Sequence, residues 1–243
     1  MTRRRWIADE VHGETAALTG EHAQHLIRVL RAKVGQEFDV AVGESLRRGR
    51  ITAISSDRVE FSLGAAVAVE PAAQVTVALA VFKFDRMEWA IEKCTELGVA
   101  RLIPVITRRT ESHLASAAAK RHERWQRIAR QAAEQSRGLS PPEIALPARF
   151  KDFVASSATQ AAARIVLAEA EADRSLRDAL APSTSEVILA IGPEGGWTKD
   201  ELQTFAVSGW VTASLGNTIL RAETAAIVAT ALALNLLRQP SLD

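Results

Sequence analysis

Three segments early in the chain alternate apolar and polar residues with period two: Phe38–Val42, Arg50–Ile54 and Arg58–Leu63. Such alternation sends successive side chains to opposite faces of a strand, so it predicts half-buried β-structure. Gly43, Gly49 and the run Ser55-Ser56-Asp57 read as the turns between these strands. A short helix from Glu21 to about Leu30 interrupts them. The expectation is a small barrel carrying one helix, followed by a linker over Gly64 to Ala73, which is alanine-rich and holds Pro71.

The rhythm then changes. Val75–Phe82 is a nearly continuous apolar run, the pattern of a strand buried on both faces. A helix follows, with Asp85 as its cap and Glu88 as the reciprocal half of a capping box. Met87, Ala90, Ile91, Cys94 and Leu97 form its apolar stripe, and Gly98 ends it. Leu102–Ile106 is a strand that Pro104 makes irregular or moves toward an edge. A second helix, Ser116 to Ser136, has Trp125, Ile128, Ala129 and Ala132 on one side and Arg124, Arg127 and Arg130 opposite. Strands at Arg164–Ala168 and Val187–Ile191 follow, with a helix near Ser175–Leu180 between them. The fold class is α/β with a small β-barrel: a β-rich part, then an α/β part with a mostly parallel sheet.

Composition adds little until the charges are divided along the chain. The 243 residues carry a formal net charge of +1, which on its face argues against a polyanionic partner. Residues 71–151, however, hold 14 basic and 8 acidic residues, a net of +6, while residues 152–243 hold 6 and 11, a net of −5. A basic middle is masked by an acidic end, an asymmetry that points toward nucleic acid. The single cysteine, Cys94, excludes an internal disulfide and a multi-cysteine zinc site, and it falls on an apolar stripe. The five histidines form no metal spacing, so no metal is expected. No targeting segment or membrane span is visible, and a cytoplasmic location is expected.

Two loops carry the chemistry. Ile191–Glu201 leaves a buried strand and enters a helix capped by Thr198, with Glu201 three residues later. Gly192, Gly195 and Gly196 allow close backbone approach to a ligand. The loop lacks the Gly-Lys-Ser/Thr ending of a P-loop and the glycine spacing of a dinucleotide fingerprint. The second loop, Ser214–Ala225, follows a strand near Val211–Ala213 and opens the long C-terminal helix. Glu223 is favoured at that positive helix end, whereas Arg221 is not, so Arg221 is there for another reason.

Taken together, Ile191–Leu202 and Leu215–Ala225 resemble the signature of the SPOUT-class methyltransferases, and more specifically of the RsmE family of 16S ribosomal RNA uracil-N3 methyltransferases. His25–Arg31, Lys83–Glu88, Lys93–Gly98 and Ala133–Arg137 followed by Pro141-Pro142 agree in order and spacing, so the resemblance covers nearly the whole chain. It implies a PUA-like RNA-binding β-barrel over residues 1–70 and a SPOUT methyltransferase domain over 74–243, with a deep trefoil knot and the cofactor site at about 187–237. It further implies S-adenosylmethionine as cofactor, a homodimer with the site near the subunit interface, and ribosomal RNA or the assembled small subunit as partner. Two positions depart from the family's habit: Thr218 stands where a basic residue is usual, and Gly138 where a further arginine often follows the Ser-Arg pair.

On this resemblance the cofactor is held by Ile191, Gly192, Pro193, Glu194, Gly195 and Gly196 of the first loop. Leu215, Gly216, Ile219, Leu220, Arg221, Glu223 and Thr224 hold it from the second. Uracil N3 is a poor nucleophile until its proton leaves, so cations near the uracil oxygens would stabilise the anion that forms. Arg221 is the first catalytic candidate and Arg137 the second; Glu223 is a proton acceptor, an orienter of Arg221, or a cofactor ligand. RNA phosphates would meet Arg3, Arg5, Arg28, Arg31, Lys83, Arg86, Arg108, Arg109, Arg124, Arg127 and Arg137. Competing readings are a ribose 2′-O-methyltransferase of the same class, a non-enzymatic RNA-binding assembly factor, and a nucleotide-dependent oxidoreductase, which the missing fingerprint disfavours.

Overall fold

In the computed structural model, residues 5–43, 45–68, 74–136, 138–157, 162–168, 174–181 and 184–237 are described. Arg3 and Arg137 lie outside them, as does the second half of the expected linker. The chain divides into one unit of Met1–Pro71 with Ala133–Pro141, and another of Ala72–Ala132 with Pro142–Asp243.

In the first unit the alternating segments pair into a six-stranded sheet. Its strands are β1 (Arg5–Ile7), β2 (Glu10–His12), β3 (Thr15–Thr19), β4 (Glu37–Val42), β5 (Ser45–Ile54) and β6 (Arg58–Val67), in the order β1-β4-β5-β6-β3-β2. β1 runs parallel to β4, and the other pairings are antiparallel. The ribbon Arg5–His12 closes the sheet, because its first half pairs with β4 and its second with β3. Between them the Ala8 amide donates to Ala41 and the Asp9 amide to Ala17. Leu18, Leu26, Val40, Ile51, Val59 and Phe61 fill the interior.

Two readings of this region need correction. Gly49 is not a turn residue: it lies inside β5, where a Cβ would come within 2.4 Å of Val40 Cγ2. Gly64–Val67 is not linker but the end of β6, with Ala66 paired to Arg47 and Val67 to Leu46. The expected helix is split into α1 (Gly20–Gln24) and a π-helical turn over His25–Val29. Arg31 follows with φ 51°, a left-handed conformation that only glycine adopts without cost.

His22 on α1 sits between two carboxylates of this unit. Its Nδ1 lies 3.3 Å from Asp9 and its Nε2 2.9 Å from Glu134. Hydrogen bonding to Asp9 and then to Glu134 pushes its pKa up to about 9. Ala133 beside Glu134 is buried against Ile7, Ala41 and Leu46, so Ala133–Pro141 is fastened by packing and by charge. This histidine has a structural task; His25 lies against the Trp6 ring at 5.8 Å.

The second unit holds a parallel sheet. Its strands are β7 (Gln74–Ala80), β8 (Arg101–Ile106), β9 (Glu143–Ile144), β10 (Ala148–Arg149), β11 (Ala163–Leu167), β12 (Glu186–Ile191) and β13 (Val211–Ala213). The order is β10-β8-β7-β12-β11-β13, with β9 also beside β8. Pro104 sits within β8, flanked on both sides. The outer partner breaks into β9 opposite Arg101–Leu102 and β10 opposite Val105–Ile106, so the gap falls at the residue that has no N–H to donate.

Helices cover both faces. On one lie α2 (Phe84–Leu97), α4 (His122–Gln135), α6 (Leu176–Ala179) and α8 (Ala222–Leu237), packed against Val75, Val77, Leu79 and Leu189. On the other, α5 (Phe150–Ser157) and α7 (Lys199–Val207) meet Ala78, Val105, Val166 and Ile188 through Phe153, Phe205, Trp197 and Trp210. The helix expected over 116–136 is instead α3 (Ser112–Ala117), a 3-10 turn over Ala118–Arg121, and α4. α4 buries Trp125 completely, edge-on to Phe84. The cap expected from Asp85 is absent: α2 begins at Phe84, and Glu88 is held instead by the Arg124 guanidinium at 2.7 and 2.8 Å. Gly98 ends α2 at φ 98°, as its position predicts. Cys94 is core, and burial pushes its thiol up to about 11. Among the described residues no helix is long and apolar enough to cross a membrane.

Candidate active site

Because all strands of the second unit run parallel, the loops after β7, β8, β11, β12 and β13 gather at one edge, where open α/β sheets bind ligands. They enclose a cavity of about 590 Å³, within the range of small-molecule sites. Its walls are Ile191–Trp197 from one loop, Ser214, Leu215 and Ile219–Ala222 from the other, and Leu167 and Ala168 beyond β11. Arg86 and Arg109 complete it.

The glycine-rich loop is fixed from several directions. Pro193–Gly196 turns tightly, with the Gly196 amide donating to Pro193 at 2.7 Å and Gly196 at φ 70°. A Cβ on Gly192 would sit 3.1 Å from Trp197 Nε1, so the backbone there passes directly over the indole. The indole N–H donates to the Leu167 carbonyl at 3.1 Å, tying this loop to the end of β11. The Arg109 guanidinium donates to the Gly195 carbonyl and reaches those of Gly196 and Trp197 at 3.4 Å. Thr198 and Glu201 form the expected capping box of α7. Glu201 does more than cap, because its Oε1 accepts the Arg108 amide at 2.8 Å.

The second loop ends in α8. Arg221 immediately precedes the helix, exposed and lining the cavity, while Glu223 is buried at 5% side-chain exposure. Glu223 Oε1 lies 4.0 Å from Arg86 Nε, and its Oε2 has no hydrogen-bond partner among the described residues. Arg86 also donates to Glu194 of the glycine-rich loop. Ile219 is 89% exposed, an apolar side chain unaccounted for by the packing of this unit.

Comparison with known proteins places this geometry. The model of the RNA methyltransferase domain matches residues 69–234, and that of the RNA methyltransferase PUA domain matches 18–64. The ribosomal RNA small subunit methyltransferase E of Synechocystis is 33% identical over 92% of this chain and 74% of its own length. That of Bacillus subtilis is 30% identical over 88% of both. The chain belongs to the ribosomal RNA small subunit methyltransferase E family. The family member from Neisseria gonorrhoeae, solved bound to S-adenosylmethionine, superposes with a TM-score of 0.83 at 26% identity, covering 97% of this chain and 98% of that one. The six-stranded unit is thus the PUA-like domain and the parallel α/β unit the methyltransferase domain.

Of the residues expected to hold the cofactor, Ile191 through Gly196, Leu215, Ile219, Leu220 and Arg221 line the cavity. Gly216, Glu223 and Thr224 do not, although Glu223 adjoins it through Arg86. Arg86 and Arg109, expected on RNA, line this cavity, engaged with Glu194 and with loop carbonyls. Sequence reasoning missed them there, along with Leu167 and Ala168 as wall residues. The available signal was position alone, since residues just past a parallel strand face the ligand edge.

The other basic candidates separate by partner. Arg124 is spent on Glu88. Arg5 has partners of its own. Arg28, Arg31, Lys83, Arg108 and Arg127 are exposed, and no side-chain ion pair engages them among the described residues. No group of three or more metal-ligating side chains occurs among the described residues.

Proposed function

We propose that this chain transfers a methyl group from S-adenosylmethionine to N3 of a uracil in 16S ribosomal RNA of the small subunit. The observation that carries the reading is the single cavity formed by the two signature loops at the carboxyl edge of the sheet, in a chain of this family.

The residues present fit the cofactor. The volume suffices for a nucleoside with an amino-acid arm. A Cβ on Gly192 would press on the Trp197 indole at 3.1 Å and one on Gly195 on the Arg109 side chain at 3.2 Å, so bare backbone suits the loop at both positions, and Glu223 keeps one buried acceptor unused among the described residues. Backbone groups of Gly192–Gly196 and Leu215–Leu220 hold the adenosine and methionine parts. S-adenosylmethionine, when bound, supplies an electrophilic methyl group on a sulfonium sulfur. The chain supplies position and charge.

Uracil N3 must lose its proton before it attacks. The negative charge then spreads onto the flanking carbonyl oxygens, where a cationic donor is worth most in a water-poor cleft. Arg221 takes this role, since it lines the cavity and its guanidinium has no carboxylate partner among the described residues. Arg137 is the second such candidate. Glu223 serves as proton acceptor, orienter or cofactor ligand.

RNA is held by the exposed unpaired cations on both units. A homodimer belongs to this proposal: α8 is apolar nearly all round, and Leu232 on it and Trp89 on the adjoining α2 remain 43% and 47% exposed. A knot over residues 187–237 also belongs to it, supported by β13 lying beside β11 while α8 returns across β7 and β12. A cytoplasmic location follows from the substrate.

The test is a methylation assay with purified chain on unmodified small-subunit particles and on free 16S RNA, followed by nucleoside mass spectrometry. 3-Methyluridine is expected. A ribose-methylated nucleoside instead would replace the uracil reading with the 2′-O reading, and absence of any cofactor-dependent product would leave an RNA-binding factor.

A further inference from the structure

Among the described residues, Arg86 is the cation that meets acidic side chains of both site loops. It projects from the first turn of α2, donates to Glu194 on the glycine-rich loop, and lies 4.0 Å from Glu223 in the first turn of α8. These three residues come from positions 86, 194 and 223, so the contact exists only in the folded site. Glu223 is nine-tenths buried, and its second oxygen has no partner among the described residues. A buried carboxylate in that state is stable only beside a cation, and its unused oxygen is a ready acceptor for an N–H or O–H donor. Phosphate would have to take Arg86 from two carboxylates, one of them buried, and would leave both without their countercharge.

We propose that Arg86 is a positioning residue of the cofactor cavity, holding Glu194 and Glu223 in the arrangement that receives S-adenosylmethionine, rather than a contact to RNA phosphate. This rests on the reading of the cavity as the cofactor site. Arg86 touches no reacting atom. It fixes the two loops relative to each other and holds the Glu223 carboxyl in place, so that the free oxygen of Glu223 meets a donor of the cofactor.

The test compares wild type, Arg86→Met, Arg86→Lys and Glu223→Gln in full-length chain. Calorimetry with S-adenosylmethionine reads cofactor affinity, steady-state kinetics read KM for each substrate, and RNA affinity is measured from low to high salt. Arg86→Met is expected to weaken cofactor binding at least tenfold and to raise KM for the cofactor while leaving KM for RNA in place. Arg86→Lys should recover part of the loss, because the charge returns without the fork. Arg86→Met combined with Glu223→Gln should lose little more than either alone. The salt slope of RNA binding should not change. Cofactor affinity within twofold of wild type in Arg86→Met, or a salt slope lower by about one, would overturn the proposal and return Arg86 to the RNA surface. Failure of the wild-type chain itself to bind the cofactor would instead overturn the reading of the cavity, and this inference with it.

Discussion

Glu201→Gln tests how the glycine-rich loop is anchored to the segment that follows β8. Glu201 is 5% exposed, and its carboxylate joins separate parts of the chain. Oε1 accepts the Arg108 amide at 2.8 Å, and Oε2 accepts the Thr198 amide and the Thr198 hydroxyl, each at 2.9 Å. Glutamine preserves the shape but offers one oxygen, and its nitrogen is a donor. Whichever way the amide turns, an NH2 group faces a backbone N–H. A buried donor left without an acceptor costs about 1–3 kcal/mol. Losing the negative charge in the first turn of α7 adds about 0.3–1 kcal/mol. The two together span about 1.3–4 kcal/mol, centred on about 2–3 kcal/mol, well beyond the roughly 0.5 kcal/mol of an ordinary surface change.

At about 2–4 °C per kcal/mol for a unit of this size, the melting temperature falls by roughly 4–12 °C. Urea unfolding followed by tryptophan fluorescence reads the loss, since Trp197 and Trp210 lie in the same unit. Hydrogen exchange at the Arg108 and Thr198 amides localises it. Glu201→Ala is the control: it removes both acceptors but admits water to the donors, so the glutamine variant should lose at least half as much as the alanine variant. A glutamine variant within about 0.5 kcal/mol of wild type, with both amides still protected, would refute the claim that both oxygens accept from backbone.

Other perturbations follow from particular contacts. Gly192→Ala drives a Cβ to 3.1 Å from Trp197 Nε1, an indole fixed by Leu167 and by Phe205 at 5.0 Å, so it should cost about 1–3 kcal/mol in urea unfolding and weaken cofactor binding. For His22, the folded pKa of about 9 lies above the ordinary 6.5, so its stabilisation is full below about pH 6.5 and is lost as pH rises through about 9. An NMR titration of the imidazole should show that midpoint in wild type and a lower one in Glu134→Gln; an ordinary value in wild type would refute the clamp. Arg124 and Arg127 stand three residues apart on α4, one spent on Glu88 and one without an ion pair among the described residues. Arg127→Met should lower the salt slope of RNA binding by about 0.7–0.9, and Arg124→Met should leave it unchanged; equal effects would show that the ion pair does not withhold Arg124.

What was legible in the sequence was mostly local. Glycine at 98 ends α2, and Thr198 with Glu201 starts α7, because these signals act within one helical turn. The same Asp-x-x-Glu logic failed at Asp85, since Glu88 had a stronger partner 36 residues away in Arg124. Gly49 looked like a turn because glycines usually are, yet its reason is Val40 on the neighbouring strand. Pro104 predicts a strand that is irregular or near an edge, and β8 is indeed next to the edge, its outer partner interrupted opposite the proline.

The charges show the same division at the level of function. The basic middle pointed to a polyanion, but a guanidinium reads identically in sequence whether it will meet phosphate or carboxylate. Folding decides which. Arg86 is drawn to carboxylates 108 and 137 residues away, and Arg109 to the carbonyls of Gly195–Trp197. The acidic C-terminal third, which contains both signature loops, thus takes part of the basic excess into the cavity itself. Of the cations expected on RNA, Arg28, Arg31, Lys83, Arg108 and Arg127 are the ones whose side chains make no ion pair among the described residues. Near-neutral net charge therefore does not argue against a polyanionic partner: many cations are matched by carboxylates within the fold, as Arg86 is by Glu194 and Arg124 by Glu88, while these five carry no side-chain ion pair among the described residues.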